Sequence, residues 1–213
     1  GGMLLHEQAS AASPGEATTA ALVERVRATR LGALSWGDGV TRLRARVAFL
    51  RHQLGTDEWP DWSDATLLAT LDDWLAPYLA GMAGAADLAR LDTALLLSAQ
   101  LGWDGSVRLA ELAPSHLDTP AGRSSVIDYT RDVPTASVRV QDLFGLREHP
   151  TVAGIVPVSL ELLSPADRPI QITSDLPGFW AGSWADVRKE MAGRYPKHQW
   201  PTDPANATPK RLK

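Results

Sequence analysis

The hydrophobic period changes once along this chain, and that change limits the folds open to it. From about Thr18 to Leu112 apolar residues recur every three or four positions. After Pro114 they recur every second position. The first spacing puts apolar side chains on one face of a helix, and the second puts them on one face of a strand. Val40, Leu43, Val47, Leu50 and Leu54 form one helical stripe, with Gly55 placed as a C-terminal stop. Ser63 is the expected N-cap of a helix through Leu67, Leu71, Trp74, Leu75 and Tyr78 that Pro77 kinks or ends. A third helix is expected over Ala86–Leu101, stopping at Gly102, with Ala94-Leu95-Leu96-Leu97 its most buried run.

Beyond Pro114, Val138 and Val140, then Val156 to Leu162, then Ile170 and Ile172 alternate with neighbours in the manner of half-buried antiparallel strands. Ser164-Pro165-Ala166-Asp167 supplies a turn. Ser183-Trp184-Ala185-Asp186 has the spacing of a capping box, opening a helix with Trp184, Val187 and Met191 on its apolar face. The expected class is α+β, with an N-terminal helical part, a small mostly antiparallel sheet and a closing C-terminal helix. Residues 1–20 read as a linker or an added start, because two glycines precede Met3 and Ala9–Thr19 is rich in Ala, Ser and Thr. Residues 21–113 form the helical region and 114–200 the α+β region. Residues 201–213, with three prolines and a basic end, read as a flexible tail.

The chain has 213 residues, enough to bury a core, and no cysteine. Disulfides, thiolate metal sites and a thiol nucleophile are excluded, and a cytoplasmic location is expected. No apolar run reaches the length of a membrane span. The net charge of −4 excludes global attraction to nucleic acid but not a local basic face. A P-loop, a Gly-x-Ser-x-Gly elbow and a His-Glu-x-x-His motif are all missing, and the five histidines are scattered. Asp72 and Asp73 are adjacent and so point apart on a helix, which does not converge two carboxylates on a substrate. Nothing here supports catalysis; a glycosidase-like enzyme would need a carboxylate pair facing across a cleft.

Three features suit binding, each with a structural alternative. Eight tryptophans are present, of which Trp59 and Trp62, flanking Pro60, are expected to be partly exposed. Arg42, Arg44, Arg46 and Arg51 lie on one helix, either laid over the core or free for phosphate. From Arg188 to Lys213 seven Lys/Arg face two acids, a balance of +5. Within that segment, Tyr195-Pro196-Lys197-His198-Gln199-Trp200-Pro201 alternates basic and aromatic groups. Arg188, Lys189, Arg194, Lys197, His198 and Trp200 are therefore the candidate contacts to single-stranded nucleic acid. The alternative is a strap over the core anchored by Tyr195 and Trp200.

Arg168-Pro169-Ile170-Gln171-Ile172-Thr173-Ser174-Asp175-Leu176-Pro177-Gly178-Phe179-Trp180 runs into Ser183–Met191 and Gly193-Arg194-Tyr195-Pro196-Lys197-His198. Together with Gln141–Leu146, Leu162–Pro165, Arg46–Arg51 and Leu67–Leu75, these blocks resemble the C-terminal signature of HrpB-type bacterial helicases of the DEAH/RHA group. The resemblance covers roughly residues 30–203. Gly37-Asp38-Gly39 and Trp103-Asp104-Gly105 are richer in glycine than the family pattern, which leaves a helix after Trp103 less supported. The resemblance implies an ATP-dependent RNA or DNA helicase whose RecA-like domains, with their ATP and Mg sites, lie upstream. No catalytic, cofactor or metal residue carries over to this chain. What it implies here is a non-catalytic C-terminal extension that supports the helicase core and docks a protein partner. The alternative is an accessory module that contacts phosphates of single-stranded RNA or DNA through the basic C-terminal segment.

Overall fold

The computed structural model describes residues 14–55 and 58–210. Its helices are α1 (Pro14–Ala28), α2 (Asp38–Leu54), α3 (Asp64–Ala69), α4 (Leu71–Trp74), α5 (Ala85–Leu88), α6 (Thr93–Leu112), α7 (Leu176–Ala181) and α8 (Trp184–Arg194). Its strands are β1 (His116–Asp118), β2 (Ser124–Asp128), β3 (Thr135–Arg139), β4 (Thr151–Val152), β5 (Val156–Pro157), β6 (Ser159–Leu163) and β7 (Pro169–Thr173). The class is α+β, and the chain divides into two compact units.

The first unit comprises Gly1–Thr41 and Pro60–Gly102. Helix α1 already begins at Pro14, inside the stretch expected as linker; residues 1–13 lie outside the described residues. Proline is tolerated there because the first helical turn has no partner for its N–H. Leu22, Val23 and Val26 then give α1 its buried face. The helix expected from Ser63 to Tyr78 is broken at Thr70, earlier than Pro77. Ser63 does cap it, accepting from Thr66 N at 3.3 Å, but the Thr70 hydroxyl donates back to Thr66 O at 2.8 Å as the helix ends. The helix expected over Ala86–Leu101 is also interrupted. Asp92 accepts from Leu95 N at 3.0 Å and so starts α6 afresh. Within α6, Leu96 and Leu97 are buried but Leu95 is 65% exposed, so the apolar run is not buried all round. Trp62 is also buried, its indole N–H donating to Gln100.

Gly102, expected as a stop, has φ 65° and ψ −172° inside α6. Only glycine adopts that conformation without strain. Helical backbone resumes at Trp103 despite Gly105, with Leu109 giving this part of α6 a buried side chain.

The second unit comprises Arg42–Trp59 and Trp103–Lys213. Its five-stranded sheet has the order β1-β2-β3-β6-β7, antiparallel except for the parallel pair β3–β6. Parallel neighbours require a crossover. Here it is residues 140–158, which hold a 3-10 turn (Val140–Leu143) and the hairpin β4–β5. Val140 therefore belongs to that turn rather than to the strand. Leu160 and Leu162 are fully buried, whereas Ile172 on edge strand β7 is 65% exposed and not half-buried. Arg46 and Arg51 prove structural. Arg46 donates to Ala113 O at 2.6 Å and Leu109 O at 3.3 Å, and Arg51 to Trp59 O at 2.6 Å. Trp59 is buried rather than exposed.

The expected capping box at Ser183 does not form, because Ser183 keeps helical dihedrals and makes no side-chain cap. The preceding helix, α7, carries the cap instead, with Asp175 accepting from Gly178 N at 2.9 Å. His149 holds this end of α7. Its Nε2–H donates to Val158 O at 2.8 Å, and its Nδ1 accepts from Leu176 N at 3.0 Å. The bond from Leu176 requires the neutral ring, and burial pushes the His149 pKa down, outweighing the Val158 bond, which the charged ring could also make. As pH falls below about 6.5 the unfolded chain takes up a proton that the folded ring resists, so stability falls with pH through that window. Replacing His149→Gln is expected to cost about 1–3 kcal/mol at pH 7.5 and to flatten the fall between pH 7.5 and 5.5. Urea titrations at both pH values check this; parallel pH profiles in the two proteins would rule it out.

Candidate nucleic-acid interface

A groove in the second unit gathers four cationic side chains. A tight turn between β1 and β2, closed by Gly122 N–H to Thr119 O at 2.9 Å, delivers Arg123. The end of β3 delivers Arg139, and the 3-10 turn delivers Gln141 and Asp142. Opposite these, Lys197, His198 and Gln199 follow α8, and Lys210 arrives from the end of the chain. The space enclosed is about 610 Å³. Arg139 is oriented by two bonds of 2.6 Å to Asp167, whose own position in the β6–β7 turn has φ 57°. Arg123 approaches Asp142 at 3.7 Å. Four cations thus meet two carboxylates, one of them, Asp167, bound to Arg139 from beside the groove. The balance is positive although the chain carries −4.

Three side-chain bonds to backbone carbonyls keep the far wall in place. Trp184 donates from its indole to Pro201 O at 2.9 Å, and Arg188 donates to Trp200 O at 2.9 Å. Trp200 in turn donates to Tyr195 O at 2.9 Å. Residues 201–210, expected as a flexible tail, run back along the fold, with Pro204 buried and Gly145 N donating to Pro204 O at 2.8 Å. Gly145 is required there: its φ is 88°, and a Cβ would stand 3.0 Å from Ala207 O. Arg211–Lys213 lie outside the described residues.

The six candidate contacts therefore separate. Lys197 and His198 line the groove. Arg188 and Trp200 are half-buried and hold the strap. Arg194 is paired with Glu190 at 3.0 Å, and Lys189 is exposed on α8 away from the groove lining. Arg123, Arg139, Gln141 and Asp142 were not among the candidates. Arg139 carried one signal, as the polar member of the Val138-Arg139-Val140 alternation; Arg123 carried none.

The described residues thus combine a helical first unit with a second unit in which a five-stranded mixed sheet is followed by α7 and α8. The family described as "ATP-dependent helicase C-terminal" matches residues 74–204, and the chain belongs to this HrpB C-terminal family. The chain is 43% identical over 193 residues to the ATP-dependent RNA helicase HrpB of Escherichia coli (strain K12), a match covering 90% of this chain and 24% of that protein. The crystal structure of E. coli DExH-box NTPase HrpB superposes with a TM-score of 0.89 at 41% identity, over 96% of this chain and 25% of the other. A second, of Escherichia coli DEAH/RHA helicase HrpB, gives 0.76 at 38% identity, over 90% and 24%. The chain thus spans about a quarter of the length of these relatives. Among the described residues no helix is long and apolar enough to cross a membrane.

Proposed function

We propose that this chain is a non-catalytic domain that supports the core of an ATP-dependent helicase in the cytoplasm and guides single-stranded nucleic acid along its basic groove. The groove itself carries this reading: Arg123, Arg139, Lys197 and Lys210 converge in a chain that is acidic overall. Long cationic side chains around an open cleft suit phosphates, and His198 offers a ring on which a base can stack. ATP and magnesium belong to the helicase core on this reading. The donor set here does not fit a magnesium nucleotide, since the groove is lined by a single carboxylate amid cations. Docking of a protein partner has a separate support in Trp103, which is 82% exposed on α6.

Fluorescence anisotropy with a labelled single-stranded oligonucleotide tests the groove. Arg123→Glu combined with Lys197→Glu is expected to weaken binding at least tenfold at low salt. Each lost phosphate contact should also reduce the salt slope by about 0.7 log unit per log salt. Lys189→Glu, exposed on α8 and outside the groove lining, should leave the slope unchanged. An affinity and slope untouched by the double reversal would eliminate the groove as the binding surface.

A further inference from the structure

We infer that the second half of α6 is a docking face for a basic amphipathic helix of a separate protein, with Trp103 as its anchor and Asp104 and Glu111 as the partners of Lys or Arg side chains. The inference rests on the reading of Trp103 as support for protein docking and adds the chemistry of the partner; it does not depend on the groove. Past the kink at Gly102, Trp103, Val107 and Ala110 stand at i, i+4 and i+7 and so share one side of the helix. Trp103 is 82% exposed, Val107 40%, and Ala110 is exposed as well, whereas Leu109 on the other side is buried. The buried side suffices to hold α6 on its own unit, so the outer stripe is not explained by the fold. Charge decides what fits it. Asp104 and Glu111, seven residues apart, run along one flank of the stripe, and both are exposed. Among the described residues neither has an ionic partner. Arg108, the one cation between Trp103 and Leu112, is already taken: it pairs with Glu58 at 2.6 Å and lies over the Trp59 ring at 5.7 Å. The face therefore sets unbalanced negative charge beside an exposed indole. Lys or Arg answers both, pairing with a carboxylate and resting its cation on the ring. An acidic segment would meet like charge here instead. A helix suits the face because apolar residues at the same spacing pack along the stripe while cations flank them.

The test measures binding of the 213-residue chain to two labelled helical peptides by fluorescence anisotropy. One peptide has about 18 residues, with leucines on one face and lysines elsewhere, and the other has glutamate in place of every lysine. The lysine peptide is expected to bind about tenfold more tightly at low salt. Trp103→Ala, which leaves the fold intact because the ring is exposed, should weaken it about tenfold or more, as loss of a hot-spot tryptophan does. Asp104→Lys combined with Glu111→Lys should reverse the preference between the two peptides. Oligonucleotide affinity should be unchanged in Trp103→Ala, which separates this face from the groove. A lysine peptide whose affinity ignores both variants would overturn the face as its binding site. Tighter binding of the glutamate peptide by the unaltered chain would overturn the basic partner and leave docking standing. Binding of neither peptide would overturn the docking reading itself. Self-association in the ultracentrifuge that Trp103→Ala abolishes would make a second copy the occupant. A polypeptide extended to include the helicase core that no longer binds the peptide would make that core the occupant. Either result would overturn a separate partner.

Discussion

Trp184→Ala is expected to lower the stability of the second unit by about 3–5 kcal/mol, the range for removing a large aromatic side chain from a packed interior. Trp184 is 2% exposed. Its ring meets Phe144 at 5.6 Å, Phe179 at 6.1 Å, Trp180 at 5.4 Å and Trp200 at 6.2 Å, with edge contacts to the first three. Such pairs add about 0.5–1.5 kcal/mol each beyond buried area. The indole N–H also holds Pro201 O, so the strap loses its anchor together with the core. The urea midpoint should fall by at least about 1 M. Trp103→Ala is the comparison, because that ring is 82% exposed and its loss should change stability by no more than about 0.5 kcal/mol. Similar costs for the two tryptophans would contradict the assignment of Trp184 as the centre of the aromatic cluster.

The same contrast shows why tryptophan position was hard to read in advance. Trp59 and Trp62 flank a proline, and a Trp-Pro-x-Trp run has the composition of a loop. Both rings are nonetheless buried, five of the eight tryptophans being so. Trp103 follows a helix-breaking glycine and gave no local sign of exposure. Burial of a large ring is decided by what lies across from it, and neither the period nor the flanking residues reveal that.

Helix existence was legible, and helix boundaries were less so. The stripe Val40–Leu54 is α2, and the switch of period is followed by β1 at His116. Where Thr70, Asp92 and Asp175 redirect backbone hydrogen bonds, local side-chain chemistry overrides the apolar pattern. Ser183 illustrates the converse. Its spacing fits a cap, but its φ of −68° and ψ of −11° leave it in helical conformation, and Asp175, eight positions earlier, has the extended backbone a cap needs.

The candidate site was half legible for a different reason. Charge density singled out the segment after Arg188, and Lys197 and His198 do reach the groove. Arg188 lies in the same segment, but its guanidinium is spent on Trp200 O. The opposite wall comes from Arg123, Arg139 and Asp142, more than fifty residues away in sequence. They are brought there by a hairpin turn and by the parallel crossover between β3 and β6. The period-2 pattern identified strands but not their order, and the order is what creates the site.

That order can be tested on β6. Leu160→Ala is expected to cost about 2–5 kcal/mol, because its side chain is fully buried and its strand lies between two neighbours. Leu160 pairs with Ala136 on the parallel side and with Thr173 on the antiparallel side. A cavity at this point is shared by three strands and cannot be closed by moving one. Ile172 belongs to the same sheet and the same class of apolar residue, yet it sits on the edge strand, 65% exposed opposite Glu161. Ile172→Thr keeps the branched β-carbon that suits a strand and should change stability by no more than about 0.5 kcal/mol. Periodicity alone ranks the two positions equally. If urea unfolding gave them comparable losses, β7 would be covered rather than an edge, and the strand order β1-β2-β3-β6-β7 would have to be abandoned.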